Sequence, residues 1–548
     1  MNTNMRKYQG TGIGEAVAFG KLRLFRRPDP KAEYLHIADT EGEKARFRQA
    51  KALALGQLQE LGEHALQEAG RDSAAVFEAH QMILLDAEFD QSVVHAIDSR
   101  SANAEYAVRL TAEVFAAKFA AMNDPYMKAR AADVWDVSLR LIRILSGTDS
   151  RPMPAGEKVI LCADDFTPSE AASLNRENVL AFVTARGSAG SHTAILARSR
   201  NIPAVIGVGD EFLRNAGEGD EAVVDGSTGE VFINPHGEIL KKLTDKQLTL
   251  TRKASLLREL KGRENVTLDG KKIDIYANIG SVRDVKDALA NDAGGIGLFR
   301  SEFLYLERSD YPSEEEQFAA YRKVLEDMAG KKVIIRTLDI GADKQADYFR
   351  LKKEDNPALG LRAIRLCLLR PELFRIQLRA LYRASVYGNL GILFPMITAV
   401  WELEKILAVC GQVKEELRQQ EIPFSHQVEL GIMIETPAAA LISEKLAPLA
   451  DFFSVGTNDL TQYTLACDRQ NPDVAQFADP HHEAVLRLIE ISAESARRHG
   501  IRIGICGELG ADTSLTGTFL RMGIDELSVS PDSILKVRRT VRGIDLRE

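Results

Sequence analysis

The spacing of apolar residues changes along the chain and divides it into four zones. Residues 7–30 alternate short apolar stretches with glycines, which predicts one or two strands. Residues 41–145 place apolar residues three and four positions apart, the period of an amphipathic helix, and Asp124-Pro125 marks a turn. We therefore expect a strand segment followed by a set of helical hairpins.

A third zone, 156–236, mixes strand-like runs with short helical stretches. Residues 237–262 are charged and rich in leucine, which predicts a helical linker with little core of its own. The pattern therefore indicates a change of domain near residue 262.

The fourth zone, 263–548, alternates short apolar runs with helical stretches. Eight runs are typical of buried strands: IDIYANI (273–279), GIGLF (295–299), KVIIRTLD (332–339), GILFPM (391–396), VELGIMI (428–434), FFSVG (452–456), RIGIC (502–506) and DELSV (525–529). Eight alternating units are the number in a (β/α)8 barrel. A doubly wound sheet is the competing fold, but it does not need eight such units. The expected fold class is thus multidomain α/β with a C-terminal barrel.

A single histidine follows the apolar run 178–184 (NVLAFVT), after a stretch of small residues. The next residues, 193–199, have the composition of a helix, and Ser191 is a candidate N-cap. His192 would then lie in the first turn, where free backbone N–H groups attract anions such as phosphate. This place suits a nucleophile that becomes phosphorylated. A structural histidine that caps a turn is the alternative.

Composition limits the classes of protein that fit. The chain has 548 residues, enough for several domains, and its net charge of −9 does not favour nucleic-acid binding. No apolar run approaches the roughly 20 residues that span a bilayer, and no secretory signal is present, so we expect a cytoplasmic protein without membrane insertion. The cysteines are odd in number and lack CxxC spacing, which favours reduced thiols over disulfides or zinc: Cys162, Cys367, Cys410, Cys467 and Cys506.

Unusual polar residues recur at the predicted carboxyl ends of the barrel strands, where such barrels hold their active sites. They are Arg300, Arg336, Asp339, Glu435, Asn458, Asp459, Arg469 and Cys506. Arginines match phosphate and carboxylate, two carboxylates suit Mg2+, and a thiol can act as a general acid. For each residue alone a surface salt bridge remains the alternative. Together they predict an anionic substrate and a magnesium ion.

Several longer motifs carry a family resemblance. They are EAHQMILLDAEF (78–89), DPYMKARAADVWD (124–136), DDFTPSE (164–170), SHTAILAR (191–198), GLFRSEFLY (297–305), RTLDIGADK (336–344), NPALGLRAIR (356–365), GIMIETPAA (431–439), SVGTNDLTQYTLACDR (454–469) and CGELGAD (506–512). On these motifs the chain resembles the phosphoenolpyruvate–protein phosphotransferases, enzyme I of the bacterial phosphoenolpyruvate:sugar phosphotransferase system. The similarity covers nearly the whole length.

The resemblance implies a substrate site in the barrel. Arg300, Arg336 and Arg469 match the arginines of the family that bind phosphoenolpyruvate. Asn458 and the backbone of Asp459 match residues that assist them.

The resemblance also implies the reacting groups. His192 matches the phosphorylated histidine, and Thr167 matches a hydroxyl that hydrogen-bonds its imidazole. Glu435 and Asp459 match the Mg2+ ligands, and Cys506 matches the acid that protonates the leaving enolate to give pyruvate.

The domain organisation that the resemblance implies follows the four zones. Residues 1–35 and 146–236 would form a swivelling phosphohistidine α/β domain, and 36–145 an inserted helical-hairpin domain that binds the histidine phosphocarrier protein HPr. Residues 237–262 would link these to the phosphoenolpyruvate-binding barrel, 263–548. A homodimer through the barrel and a role in sugar transport are implied as well.

Three alternatives accompany this interpretation. A nucleotide-dependent relative, a dikinase or synthase, would need a nucleotide-binding domain, and the residues before His192 contain no P-loop. A catalytically silent regulator would be expected to lack part of the residue set. The same chemistry could also serve a paralogous phosphocarrier. The chain departs from many relatives at Gly187-Ser188-Ala189-Gly190, where they carry Gly-Gly-Arg-Thr, but all four residues here are small.

Overall fold

The computed structural model forms two compact units, Met1–Arg252 and Lys253–Glu548. It describes residues 5–25, 32–69, 71–122, 125–147, 157–166, 170, 178–188, 191–199, 202–306, 308, 310–341, 347–352, 354–469 and 471–547. Among these residues, no helix is both long enough and apolar enough to cross a membrane.

The first unit contains an eight-stranded sheet in the order β1-β8-β7-β3-β4-β5-β6-β2. Its strands are β1 (Arg6–Gln9), β2 (Thr11–Ile13), β3 (Val17–Leu24), β4 (Val159–Ala163), β5 (Val179–Thr184), β6 (Ala204–Ile206), β7 (Glu221–Asp225) and β8 (Glu230–Ile233). Strands β3 to β6 run parallel, so β4 and β5 end at the same edge. The prediction of one or two strands at 7–30 was wrong, because the structure has three strands there, with Gly10 between β1 and β2. A Cβ on Gly10 would lie 2.6 Å from the carbonyl oxygen of Ile206.

Among the described residues, five helices lie between β3 and β4, which confirms the helical character of the second zone. They are α1 (Thr40–Ala69), α2 (Arg71–Leu85), α3 (Ala87–Arg100), α4 (Ala104–Ala120) and α5 (Pro125–Leu145). Phe47, Phe77 and Phe89 are fully buried in their shared core. Asp86 begins α3, since its side chain accepts a hydrogen bond from the Phe89 backbone N–H at 2.8 Å.

The described part of the first unit has three further helices: α6 (His192–Ser199), α7 (Asp210–Asn215) and α8 (Gly237–Arg258). Helix α8 confirms the predicted helix, and one of its 22 residues is buried. Leu243 is buried against Val17 and Phe232 of the sheet. Lys246 pairs with the buried carboxylate of Asp225, which fixes this half of the helix to the sheet.

The second unit is a closed barrel of eight parallel strands, which confirms the predicted fold. The strands are β9 (Asp274–Ile279), β10 (Ile296–Arg300), β11 (Lys332–Arg336), β12 (Asn389–Phe394), β13 (Glu429–Ile434), β14 (Phe452–Val455), β15 (Arg502–Ile505) and β16 (Glu526–Val529). Each predicted run overlaps one strand, although β10 extends to Arg300, β12 begins at Asn389, and β11 ends before residues 337–339. The helices of this unit are α9 (Asp284–Ala290), α10 (Glu314–Asp327), α11 (Ala363–Leu369), α12 (Pro371–Ala384), α13 (Val400–Gln419), α14 (Pro437–Leu441), α15 (Ser443–Leu446), α16 (Thr457–Leu465), α17 (Glu483–His499), α18 (Thr516–Met522) and α19 (Ile534–Val541).

Glycines inside the barrel make room for large and charged side chains. A Cβ on Gly431 would lie 2.3 Å from the ring of Phe452. A Cβ on Gly297 would lie 2.5 Å from Oε1 of Glu526. Glu526 is buried at the start of β16, and this burial raises the pKa of its carboxyl to about 8, although Arg502 opposes the shift.

The raised pKa of Glu526 predicts a pH-dependent loss of stability. An unfolded glutamate titrates near about 4.3, so the stabilising contribution of this group is complete below that pH and is lost as the pH rises through about 8. Glu526→Gln cannot ionise. As the pH rises from about 4.5 to 8, the free energy of unfolding of Glu526→Gln should therefore increase relative to that of the parent by a few kcal/mol. Denaturant titrations at several pH values measure this difference.

Glu404→Gln, which changes an exposed glutamate of α13, is the control and should follow the parent at every pH. Parallel curves for the parent and Glu526→Gln would contradict the prediction.

Candidate active site

His192 is the first residue of α6, as the sequence predicted. The Ser191 carbonyl accepts a hydrogen bond from the Ile195 N–H at 3.0 Å, and its hydroxyl accepts one from the Ala194 N–H at 3.4 Å. Ser191 therefore acts as the N-cap. Thr167 and the side chain of His192 lie outside the described residues.

The residues around the start of α6 are closely packed. Gly187 has φ +102°, a backbone conformation that favours glycine, and a Cβ there would lie 3.3 Å from the Ser191 hydroxyl. Thr193 is fully buried and donates a hydrogen bond from its hydroxyl to Oδ1 of Asp165 at 3.0 Å. The first turn of α6 is thus held to the segment that follows β4.

In the barrel, a chain of alternating charges lies at the carboxyl ends of the strands. Arg336 pairs with Glu302, and with Asp339 at 2.9 Å. Arg362 pairs with Asp339 at 2.9 Å and with Asp459 at 3.4 Å. All five side chains are nearly inaccessible to solvent. Although burial opposes it, Asp339 and its neighbouring carboxylates raise the pKa of both guanidinium groups, which stay charged.

The remaining predicted binding residues lie at the same end of the barrel and are more accessible. Arg300 ends β10, pairs in register with Arg336 of β11, and is exposed. Arg469 lies 3.7 Å from Oδ2 of Asp459. Asn458, in the first turn of α16, donates to Glu508 at 3.2 Å and accepts from the Glu508 N–H at 3.0 Å. The structure therefore brings the predicted arginines and the amide to one end of the barrel.

Two carboxylates at this end influence each other strongly. Glu435 is 1% exposed, and its Oε1 accepts a hydrogen bond from the Met396 N–H at 2.6 Å. Burial raises the pKa of Glu435, and the neighbouring charge of Asp459 raises it further. A bound cation would relieve this repulsion. Among the described residues no three acidic, histidine or cysteine side chains form a metal site by themselves, so substrate and water oxygens would have to complete one.

Cys506 follows β15 and is 2% exposed. Its thiol donates a hydrogen bond to the Val455 carbonyl at 3.5 Å, and burial raises the pKa of the thiol to about 11. The sulfur therefore carries its proton at neutral pH, as a proton donor must. All five cysteines of the chain are free.

Two members of the charge network, Glu302 and Arg362, are not among the residues predicted from the sequence. Arg362 follows a short helical turn and not a strand, so the pattern of polar residues at strand ends does not include it. Gly341 is the residue in the sequence that could have indicated this close approach, and it has φ +122°. A Cβ there would lie 2.4 Å from the Cβ of Arg362, so this glycine allows the arginine to approach Asp339.

Comparisons with known proteins show the family to which the chain belongs. Models of the PEP-utilising enzymes match residues 9–130 (N-terminal), 155–229 (mobile domain) and 254–546 (PEP-binding domain). A phosphoenolpyruvate-protein phosphotransferase of Bacillus sp. (strain S) is 44% identical over 98% of this chain and 93% of its own length. The Bacillus subtilis (strain 168) protein of the same name is 42% identical over 99% and 95%. The chain belongs to the phosphoenolpyruvate-protein phosphotransferase family.

Among solved structures, the NMR structure of an Enzyme I protein shares 34% identity with this family member. It covers 44% of this chain and 99% of its own, with a TM-score of 0.40. Membership in the family confirms the resemblance drawn from the motifs and the class of enzyme that it implied. Together with the PEP-binding domain match, the closed parallel barrel confirms the fold class.

Proposed function

We propose that the enzyme transfers the phosphoryl group of phosphoenolpyruvate to His192, releases pyruvate, and passes the group on to HPr as the first step of sugar uptake. The observation that carries this proposal is the set of groups at one end of the barrel. It combines exposed and buried arginines, two adjacent carboxylates and a buried thiol that keeps its proton. A phosphorylated enol acid needs these groups for binding and for protonation.

The arginines supply the binding charge. Phosphoenolpyruvate carries a phosphate and a carboxylate, both of which match the planar guanidinium group. Arg300 is exposed and makes no side-chain ion pair among the described residues, so its donors are available to substrate. Arg336 is held by Glu302 and Asp339, which limits its movement and prepares it for binding. Arg469, Asn458 and the Asp459 backbone complete the proposed site.

The carboxylates of Glu435 and Asp459 would hold Mg2+. Two adjacent buried carboxylates whose charges repel each other fit a divalent cation that takes its other ligands from water and substrate. When bound, the ion would neutralise negative charge on the phosphoryl and carboxylate oxygens.

His192 and Cys506 would supply the nucleophile and the proton that the transfer step needs. An imidazole nitrogen of neutral His192 forms a bond to phosphorus while the bond from phosphorus to the enol oxygen breaks. The electron pair stays on the enolate, and Cys506 donates its thiol proton to the methylene carbon, which gives pyruvate. The position of His192 at the start of α6 favours the negative phosphoryl group. By the family resemblance, Thr167 would orient the imidazole.

The docking surface for HPr is proposed to lie on α2. Met82 and Leu85 are 71% and 63% exposed and lie on one face of this helix with the exposed Glu78. Large exposed apolar side chains with acidic neighbours are typical of a protein interface for a basic partner. The helical domain would therefore receive HPr beside the phosphohistidine domain.

A homodimer through the barrel is the second proposed contact. The segments that follow strands β11 to β14 each expose at least one large apolar side chain, among them Leu359, Trp401, Leu441 and Phe477. Exposed apolar side chains on successive segments of a barrel are consistent with a subunit interface. Free thiols throughout the chain support a cytoplasmic location.

The proposed function is tested with purified protein, Mg2+ and phosphoenolpyruvate labelled on its phosphate. The parent should acquire acid-labile, base-stable label and release one equivalent of pyruvate, whereas His192→Ala should do neither. Adding HPr should move the label to HPr. A folded parent that takes no label would favour the silent regulator, and label that HPr does not accept would favour a paralogous phosphocarrier.

Cys506→Ala should slow pyruvate formation by about 10²- to 10⁴-fold, because the enolate loses its proton donor. Binding of phosphoenolpyruvate should be nearly unchanged, since the arginines remain. Stopped-time pyruvate assays and equilibrium binding measure the two effects. Cys467→Ala, at a half-buried cysteine two residues from Arg469, is the control and should keep the parental rate. Parental turnover by Cys506→Ala would remove the thiol from the mechanism.

Met82→Asp should raise the KM for HPr about tenfold or more, because a charge replaces an exposed apolar contact. Autophosphorylation by phosphoenolpyruvate should not change. Leu268→Asp, at a 65% exposed leucine of the second unit, is the control and should transfer to HPr like the parent. An unchanged KM for HPr in Met82→Asp would place the docking surface elsewhere.

A further inference from the structure

A buried glutamine of the barrel, Gln377 on α12, connects two of the segments that carry proposed binding residues. Its Oε1 accepts a hydrogen bond from the Leu338 backbone N–H at 2.9 Å. Its Nε2 donates to the Ser301 hydroxyl at 3.0 Å and to the Tyr321 hydroxyl at 3.1 Å. The carbonyl and both N–H groups of this amide are therefore engaged, and the side chain is 1% exposed.

The two segments that this amide joins are those that follow β10 and β11. Ser301 comes directly after Arg300, and Leu338 lies between Thr337 and the buried Asp339. The two strands pair in register up to Arg300 of β10 and its neighbour on β11. Beyond this last pair the strand ladder ends, and the α12 amide links the two segments by side-chain hydrogen bonds.

The amide is itself held by a chain of buried hydrogen bonds that leads to α10. Tyr321 donates from its hydroxyl to Oε1 of Gln317 at 3.2 Å, and the same oxygen accepts from the Tyr305 hydroxyl at 3.0 Å. Nε2 of Gln317 donates to the Pro312 carbonyl at 3.2 Å. All three of these side chains are almost completely excluded from solvent. The Gln377 amide therefore cannot turn without leaving buried groups unpaired, which is costly.

Two arginines that bind one small anion need a fixed spacing, because a displacement of about 1 Å can cost on the order of a hundredfold in rate. Ion pairs with Glu302 and Asp339 hold the guanidinium group of Arg336. Arg300 is exposed and makes no side-chain ion pair among the described residues, so its place depends on the backbone beside it. The hydrogen bond of Ser301 fixes that backbone.

We propose that Gln377 is a positioning residue for the binding of phosphoenolpyruvate, an inference that rests on the proposed function. By bonding to the segments after β10 and β11 at once, it sets the distance between Arg300 and Arg336. Gln377 is too deeply buried to touch the substrate. Cys506 follows β15, which pairs with neither of these strands. The effect of Gln377 therefore falls mainly on the binding of phosphoenolpyruvate and less on the reaction of the bound molecule.

The test measures the rate of labelling of the full chain with Mg2+ and a range of concentrations of phosphoenolpyruvate labelled on its phosphate. Gln377→Met removes all three hydrogen bonds of the amide with little change in side-chain length. The concentration that gives the half-maximal rate should rise about tenfold, because the two arginines lose their fixed spacing. The maximal rate should change by less than about threefold.

Two further variants separate positioning from a general loss of stability. Ser301→Ala removes one of the bonds to Gln377 and should raise the half-maximal concentration about threefold, also if Gln377→Met fails to fold. Added to Gln377→Met, it should cause no further rise, because the shared bond is already lost. Ser443→Ala is the matched control, since it removes a buried hydroxyl of the same unit that lies 2.8 Å from the Ser495 hydroxyl. It should be less stable to denaturant than the parent but keep the parental half-maximal concentration.

The outcomes distinguish the positioning role from the proposed function. If the parent takes no label, the proposed function is wrong and the positioning role falls with it. If the parent is labelled and both Gln377→Met and Ser301→Ala keep its half-maximal concentration, the positioning role alone is overturned. The same conclusion follows if Ser443→Ala raises that concentration equally, or if Gln377→Met lowers only the maximal rate.

Discussion

The alternation of buried charges at the carboxyl end of the barrel determines how the candidate site is built. Arg336 and Arg362 are held among Glu302, Asp339 and Asp459, and each of the five would be costly to bury alone. Because every carboxylate here faces at least one guanidinium group, none of these side chains can move independently. The arginines are therefore oriented before a substrate arrives, which lowers the cost of binding an anion.

The barrel interior must accommodate large and charged side chains in addition to this charge network. Small residues at Gly297, Gly431 and Gly504 allow Phe452 and Glu526 to fill space inside a closed ring of strands. Cys506, which follows the strand that holds Gly504, lies in this apolar interior with Met433 and Leu298. The same desolvation that keeps the thiol protonated also raises the pKa of Glu526.

Much of this could be predicted from the sequence. The eight barrel strands followed from apolar runs because buried parallel strands are apolar on both faces. The start of α6 followed from Ser191. The extra strand created by Gly10 and the core contact of Leu243 did not, because both depend on residues distant in sequence. Arg362 was missed for the same reason, since its role comes from Asp339 and Asp459 and not from a strand end.

The proposed reaction places the nucleophile and the substrate arginines on different units, and His192 must meet first a small molecule and then a protein. Helix α8 connects the units and is fastened near both ends. Lys246 is tied to Asp225 in the first unit, and the Leu260 carbonyl accepts a hydrogen bond from Arg538 in the second at 2.8 Å. Between them, residues 251–256 are exposed and pack against neither core. A bend of the chain within this stretch would therefore disturb no core contact of either unit.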